Sequence, residues 1–189
     1  MNKLTGKILH VDGDKKYSEK SYYHYKKIGL NAIVKYVPES KQSEVIFSLL
    51  NSYNPDILVI TGHDAMIKKG VNYYDINNYK NTKYFIETVK KARQYEQLYN
   101  RPLVIFAGAC QSYFEVLIAA GANFASSPAR ILIDFLDPLI VAEKIATTEN
   151  SKIITINDFY RELRDGKRGI DGIGARGTMK IVKGNRLVI

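Results

Sequence analysis

Two stretches decide the fold of this chain: DILVITGHD at residues 56–64 and PLVIFAGACQS at residues 102–112. Each is a continuous apolar run, rich in β-branched residues, that ends at a glycine. Such a run is typical of a strand buried on both faces of a parallel sheet. His63 follows the first run and Cys110 follows the second. Because parallel strands present functional groups where they pass into loops, we expect both side chains at one edge of a sheet.

The rest of the chain alternates strands with helices around these runs. Strands are predicted at residues 7–14, 31–37, 56–60, 102–107 and 123–126, with a short segment at 152–156. Helices are predicted at 17–28, 40–53 (with Ser40 as N-cap), 82–99, 111–120, 138–148 and 158–163, and 65–81 is predicted to be a long loop. The alternation predicts an α/β fold with a doubly wound, mostly parallel sheet, flavodoxin-like or caspase-like, as a three-layer sandwich. Strand order 2-1-3-4-5 would place Asp12, His63 and Cys110 on one edge, with Ser126 next along.

The chain changes character after Asp165, where it becomes rich in glycine and arginine. We predict a flexible loop or tail there, followed by a β-hairpin around Gly184-Asn185 that joins 179–182 to 187–189. Residues 172–177 match the letters of a dinucleotide-binding fingerprint. No predicted strand leads into them and no helix follows, so nucleotide binding is rejected. Residues 1–189 are expected to form a single α/β domain.

Composition limits the function classes. Of the 189 residues, 46% are hydrophobic and 25% charged, which is typical of globular proteins, and the single cysteine excludes an internal disulfide and a cysteine-rich zinc site. No apolar run reaches the roughly 20 residues that span a bilayer. The net charge of +9 and the Lys/Tyr-rich segment 15–36 are interpreted as a solvated surface, because no nucleic-acid motif accompanies them. We predict a cytoplasmic protein with no cofactor, no metal and no nucleic-acid partner.

The residue types suit nucleophilic catalysis. A thiol at the start of the predicted helix 111–120 would be favoured as thiolate by the helix dipole, and an imidazole beside it can move its proton. Free N–H groups there, including that of Cys110, would form an oxyanion hole. None of the three histidines follows Cys110, and His63 precedes it by 47 positions. That order fits caspase-like enzymes, in which the histidine lies about 50 residues upstream.

At several of these stretches the chain resembles a known family. The matching segments are 7–14 (KILHVDGD), 55–64, 106–114 (FAGACQSYF), 119–128 (AAGANFASSP), 137–138 and 175–178. They resemble the YabG family of sporulation-specific peptidases of spore-forming Firmicutes. The resemblance implies a cysteine endopeptidase that cleaves after arginine, with Cys110 as nucleophile and His63 as its partner. It also implies spore-coat and cortex-associated proteins as substrates, in the mother-cell cytoplasm or at the spore coat. Family members carry a small β-rich N-terminal domain that we expect this chain to lack.

Cleavage after arginine requires a carboxylate in the specificity pocket, because a buried guanidinium must be paired. The acids expected near the sheet edge are Asp12, Asp14, Asp64, Asp134 and Asp137, of which Asp137 is favoured. The candidates for substrate binding, as oxyanion or pocket residues, are Gly62, Asp64, Gln111, Ser126 and Asp137. Asp64 stands where caspase-like peptidases have the glycine of a His-Gly pair.

Two other functions are compatible with the sequence. One is a receiver-like regulatory module, suggested by acids after the first strand and by the run PDILVI at 55–60. Against it, the third strand ends in Gly-His where a phospho-accepting aspartate would stand. The other is a non-enzymatic, basic coat-binding protein that uses the Lys/Tyr surface. Replacement of Cys110 separates these functions from a peptidase, since only the peptidase needs the thiol.

Overall fold

A computed structural model describes residues 2–182 of the protein. Its strands, in chain order, are Asn2–Leu4 (β1), Ile8–Asp12 (β2), Ala32–Tyr36 (β3), Ile57–Thr61 (β4), Val104–Ala107 (β5), Phe124–Ser126 (β6), Ile153–Ile154 (β7), Ile170–Gly172 (β8), Ala175–Arg176 (β9) and Lys180–Val182 (β10). Its α-helices are Lys15–Lys27 (α1), Glu39–Tyr53 (α2), Thr82–Tyr99 (α3), Phe114–Ala120 (α4) and Leu136–Thr147 (α5). Short 3-10 helices lie at Ile76–Asn78, Ile156–Asp158, Tyr160–Glu162 and Gly166–Arg168.

The central sheet has six strands in the order β3-β2-β4-β5-β6-β8. The first five run parallel, and β8 lies antiparallel to β6 along one edge. The five parallel strands follow the predicted order 2-1-3-4-5, so the doubly wound α/β fold is confirmed. In this register Asp12 lies opposite Thr61, and Ile60 lies opposite Ala107. The loops after β2, β4 and β5 therefore leave the sheet side by side.

Both faces of the sheet are covered by helices, which explains why its strands are continuous apolar runs. Along β4, Ile57 and Val59 belong to a core cluster that includes residues of α1 and α5, whereas Leu58 and Ile60 belong to a cluster with residues of α2, α3 and α4. Every residue of β4 and β5 is buried. A strand between two helical layers has no solvent face and needs no polar alternation.

Helix α3 begins and ends at the predicted residues, but the starts of the other four α-helices differ from the predicted ones. Helices α1 and α5 each begin two residues earlier, at Lys15 and Leu136. Helix α2 begins at Glu39 after Pro38, so Ser40 lies within the first turn and is not the N-cap. Helix α4 begins at Phe114, and Cys110 and Gln111 form a turn before it. Gln111 has a φ of +56°, a left-handed conformation that interrupts a helix. The argument that a helix dipole favours the thiolate of Cys110 therefore does not apply.

The segment after Asp165 is ordered into strands, in contrast to the predicted flexible loop or tail. Strand β8 completes the central sheet, β9 pairs with β7, and β10 pairs with β1. Gly172 is required where β8 passes β6, because a Cβ there would lie 2.2 Å from the carbonyl oxygen of Asn123. The segments predicted as strand at 152–156 and helix at 158–163 form the short β7 and 3-10 turns. The predicted hairpin involves 187–189 and lies outside the described residues.

A helix that spans a bilayer must be both long and apolar, and the helices of residues 2–182 fall short of this combination.

Candidate active site

A cleft opens where β2, β4 and β5 end. It encloses about 570 Å³, counted with its mouth open to solvent, and its walls include both the His63 and the Cys110 side chains. Its floor includes residues at the ends of β2 and β4, and its far wall is formed by the segment that leads into α5. The lining residues are His10, Asp12, Tyr17, Ser21, Thr61, Gly62, His63, Gly108, Ala109, Cys110, Ile133, Asp134, Phe135 and Pro138.

The turn that carries Cys110 is built from small residues and is held by hydrogen bonds of two serine side chains. Gly108 has a φ of +112°, and a Cβ at this position would lie 2.7 Å from Oγ of Ser126. The Ala109 amide donates to Oγ of Ser112, and the Ser126 hydroxyl donates to the Ala109 carbonyl. This serine pair fixes the turn between β5 and α4, so that Cys110 lies at the edge of the cleft.

The Cys110 thiol is partly buried against the far wall of the cleft. The Ile133 amide donates to its sulfur at 3.4 Å, and the thiol lies 3.8 Å from the Ile133 carbonyl oxygen. The backbone amide of Cys110 donates to no acceptor within residues 2–182. The sulfur therefore accepts an N–H bond, and the adjacent backbone amide has no acceptor in the part of the chain that the structure describes.

His63 follows β4 at the mouth of the cleft, and its side chain is 58% exposed. Its main chain is held by two contacts: its amide donates to Oε1 of Glu39 at 2.6 Å, and its carbonyl accepts from Nδ2 of Asn81 at 2.8 Å. Its Nε2 lies 2.8 Å from Oδ2 of Asp14. In this structure the ring contacts a carboxylate, and the thiol and the imidazole share the cleft without a hydrogen bond between them.

A buried polar chain forms the floor of the cleft. Thr61 donates its single hydroxyl hydrogen to Oδ2 of Asp12 at 2.6 Å, so the Nε2 of His10, 2.6 Å from the same hydroxyl, must be the donor of that contact. Nδ1 of His10 then accepts from the Tyr25 hydroxyl at 3.1 Å. Burial raises the pKa of Asp12 and lowers the pKa of His10 to about 3. His10 is therefore a neutral structural group at physiological pH.

Mild acid is expected to destabilise the fold, because His10 gains a proton in the unfolded chain but stays neutral in the folded one. Its pKa is about 3 when folded and about 6.5 in an unfolded chain. The stability gained by keeping the ring neutral is complete above pH 6.5 and is lost as the pH falls toward 3. Between pH 7 and pH 5 the loss should be about 2 kcal/mol. Urea unfolding of the wild type and of His10→Gln at both pH values measures it.

The buried carboxyls of Asp12, Asp64 and Asp137 act in the opposite direction, because burial raises their pKa values and acid then favours the folded state. They are present in both proteins, so the difference between the two pH dependences isolates His10. Equal pH dependences would contradict the prediction.

Most of the candidate substrate-binding residues lie behind the cleft surface. Gly62 lines the cleft, but Asp64, Gln111, Ser126 and Asp137 are not among its lining residues. The Asp137 side chain accepts from the amides of Asp134 and Arg164, and the residue is 1% exposed. Oε1 of Gln111 accepts from the Met66 amide at 3.3 Å. These side chains hold the walls of the cleft in place.

Asp64 connects the two loops that carry His63 and Cys110. Its Oδ2 accepts from the hydroxyls of Thr82 and Ser112, and its Oδ1 accepts from the amides of Asn81 and Ala65. Burial raises the pKa of this carboxyl, and the four hydrogen bonds oppose the shift. A side chain with all its acceptor positions in use is a structural anchor between β4, α3 and the cysteine turn.

Sequence reasoning did not identify the partners that surround the two reactive groups. Asp14 was considered only as a pocket acid, whereas its carboxylate contacts His63. Asp134, considered less favourable than Asp137, is the one of the two that lines the cleft. The available signal was the position of Asp14, which follows β2 and precedes a helix. Within residues 2–182, no cluster of three or more His, Cys, Asp and Glu side chains is arranged to hold a metal ion.

The fold and the cleft define an α/β protein whose doubly wound sheet brings one thiol and one imidazole to its C-terminal edge. The family model described as YabG peptidase U57 matches residues 1–183, so the chain belongs to that family. The sporulation-specific protease YabG of Bacillus subtilis (strain 168) is 46% identical over 178 residues, which are 94% of this chain and 61% of that protein. The chain thus spans less than two thirds of the length of this relative.

A comparison of folds finds the receiver domain of the Francisella response regulator 1452. It is 17% identical, with a TM-score of 0.44, and the match covers 74% of this chain and 94% of that domain.

Proposed function

We propose that this chain is a cysteine endopeptidase that cleaves after arginine and processes spore-coat and cortex-associated proteins during sporulation, in the mother-cell cytoplasm or at the spore coat. The observation that carries the proposal is that the Cys110 thiol and the His63 imidazole line one cleft at the C-terminal edge of a parallel sheet. Membership of a peptidase family and the name of the Bacillus relative support proteolysis.

The proposed reaction uses these two side chains in turn. His63 takes the proton of the Cys110 thiol, and the thiolate attacks the carbonyl carbon of the scissile peptide bond. The C–N bond then breaks as the imidazolium returns this proton to the leaving amine, and a thioester remains on the sulfur. A water molecule gives a proton to His63 and attacks the thioester. The carboxylic product leaves, and the sulfur regains a proton.

The amide of Cys110 is the proposed donor to the oxyanion that forms in both steps. It makes no hydrogen bond within residues 2–182, and it belongs to the residue whose sulfur attacks. A backbone amide held by the fixed turn around Ser112 and Ser126 is already oriented, which is what stabilisation of a developing charge requires.

Asp134 is the proposed partner of the substrate arginine. It lines the same cleft as the aromatic rings of Tyr17 and Phe135, whose centroids are 5.8 Å apart. The ammonium group of Lys20 lies 5.4 Å and 5.3 Å from these centroids, so the rings already hold a cation. A guanidinium group favours the combination of a carboxylate and an aromatic face.

Asp134→Asn is expected to lower kcat/KM for arginyl peptides by about 10- to 100-fold, since a charge-assisted hydrogen bond is worth about 1.5–3 kcal/mol. The matched control is Asp165→Asn. This substitution also removes an acid, but Asp165 does not line the cleft. Steady-state kinetics with arginyl and lysyl peptides measure the effect. An unchanged preference for arginine in Asp134→Asn would exclude Asp134 as the specificity residue.

The function itself is tested with fluorogenic peptides that carry arginine, lysine or aspartate before the scissile bond. We expect hydrolysis after arginine, and prior treatment with iodoacetamide should abolish it, because Cys110 is the only cysteine of the chain. Hydrolysis that survives alkylation would refute a thiol mechanism. Equal rates for the arginyl and aspartyl peptides would refute the specificity.

A further inference from the structure

The His63 imidazole has a partner that the reaction above does not use. Its Nε2 lies 2.8 Å from Oδ2 of Asp14. The hydrogen bond from His63, followed by that from the Tyr17 amide, holds the pKa of Asp14 below its usual range, so this carboxylate is ionised at neutral pH. An ionised carboxylate only accepts hydrogen bonds. Nε2 therefore carries the hydrogen, and in the neutral ring Nδ1 is the atom with a free lone pair.

Asp14 is itself fixed in the fold. Its Oδ1 accepts from the Tyr17 amide at 2.9 Å, which makes Asp14 the N-cap of α1. Its own amide donates to Oδ1 of Asp12 at 2.7 Å, and Oδ2 of Asp12 accepts from the Thr61 hydroxyl. These contacts connect Asp14 to both β2 and β4, the strands that form the floor of the cleft. The position of its second oxygen, which faces His63, is therefore determined by the core.

The orientation of the His63 ring depends on this contact together with the edge-to-face packing of Tyr17, whose ring centroid lies 6.2 Å away. The main chain of His63 is held by Glu39 and Asn81, which leaves rotation of a side chain that is 58% exposed. Within residues 2–182, the His63 ring makes one hydrogen bond, and its partner is Asp14. A ring already held in one rotamer and one tautomer does not lose further conformational entropy when the reaction begins.

We propose that Asp14 is a positioning residue that holds His63 in the Nε2–H tautomer, so that Nδ1 is the atom that exchanges a proton with Cys110. The proposal rests on the proposed function, in which His63 is the acid and base. Asp14 contacts neither the substrate nor the sulfur and acts through the imidazole. It completes a Cys-His-Asp series in which the acid comes first in the chain, 49 positions before the histidine.

Two substitutions separate this role from helix capping, because asparagine and serine are both good N-cap residues. In Asp14→Asn, the side-chain oxygen can keep the cap by accepting from the Tyr17 amide. The NH2 group of the asparagine then faces Nε2 of His63 and donates to it, so the ring hydrogen must be on Nδ1. In Asp14→Ser, the cap is kept and the ring loses its partner. Asp75→Asn is the matched control, since Asp75 is an exposed N-cap that does not line the cleft.

We expect Asp14→Asn to lower kcat by on the order of 100-fold with KM unchanged, because the base atom is protonated. Asp14→Ser should show a smaller loss, and Asp75→Asn none. Alkylation of the single cysteine by iodoacetamide gives a readout without substrate, and it should slow in Asp14→Asn and in His63→Ala. Thermal unfolding of each variant confirms that α1 is retained.

The tautomer is read directly from the ring ¹⁵N shifts of ¹⁵N-histidine-labelled protein in a Cys110→Ala background, at a pH where the imidazole is neutral. We expect Nε2–H for His63 and a change to Nδ1–H when Asp14→Asn is added. An Nδ1–H ring in the unsubstituted Asp14 protein, or a full kcat in Asp14→Asn alongside an inactive His63→Ala, would overturn the proposal.

Two outcomes separate the positioning role of Asp14 from the proposed peptidase activity. If Cys110→Ala and His63→Ala both retain turnover, the proposed function is refuted and the role of Asp14 falls with it, even where the ¹⁵N shifts agree. If both are inactive and Asp14→Asn matches the control, the proposed function stands and the positioning role alone is refuted.

Discussion

Cys110→Ala is expected to abolish hydrolysis of arginyl peptides, with a loss of at least about 1,000-fold in kcat. The chain has no second thiol that could replace the nucleophile. Alanine removes only a sulfur that is partly buried against Ile133, so the fold should be retained. His63→Ala should cause a loss of similar size, because the two side chains act as a unit. For the same reason their effects should not add, and the double variant should be no worse than either single one.

His24→Ala is the matched control for His63→Ala. His24 lies in the last turn of α1 and does not line the cleft, so turnover should equal that of the wild type. Progress curves at saturating substrate, with unfolding curves for each variant, measure both effects. Full activity in Cys110→Ala would mean that the cleft does not work by thiol chemistry. A loss in His24→Ala equal to that in His63→Ala would mean that histidine replacement acts through the fold.

Asp64→Ala is expected to cause the largest loss of stability, about 3–4 kcal/mol of unfolding free energy. Alanine leaves the hydroxyls of Thr82 and Ser112 and the amides of Asn81 and Ala65 without their common acceptor. Burial prevents water from replacing the carboxylate without cost. For a chain of this size the melting temperature should fall by about 10 °C.

Asp158→Ala provides the comparison for Asp64→Ala. The carboxylate of Asp158 also accepts from a backbone amide and a hydroxyl, both of Thr155, but it is exposed. Its loss should cost about 1 kcal/mol or less. Chemical denaturation of the two variants measures the difference. Equal losses would contradict the prediction, because Asp64 has both more donors and a buried position.

The sheet could be predicted from the sequence because each of its strands is indicated by residues that are adjacent in the chain. The apolar runs that became β4 and β5 have no polar alternation, and strands with both faces covered have this pattern. With alternating helices and right-handed crossovers, few strand orders remain, and the observed order is the predicted one. The shared edge that carries His63 and Cys110 follows from that order and not from any single motif.

The details of the cleft could not be predicted because they depend on contacts between distant segments. Nothing local indicates that Gln111 adopts a left-handed conformation, which moves the start of α4 to Phe114. Ser126 and Asp137 have the composition of pocket residues, but both are buried, and their hydrogen bonds go to neighbouring backbone groups. A polar residue near a strand end can support a loop or face a ligand, and sequence alone does not distinguish the two.

Strand β3 at the edge of the sheet has a consequence for self-association. An outer strand offers unpaired amides and carbonyls to strands of other molecules, which is a route to aggregation. Here that strand is only five residues long. Its Lys35 places an ammonium group 5.2 Å from the ring of Tyr53, and Pro38 follows closely. A short edge strand with a cation and a proline beside it discourages intermolecular β-pairing, so this side of the sheet is protected against self-association.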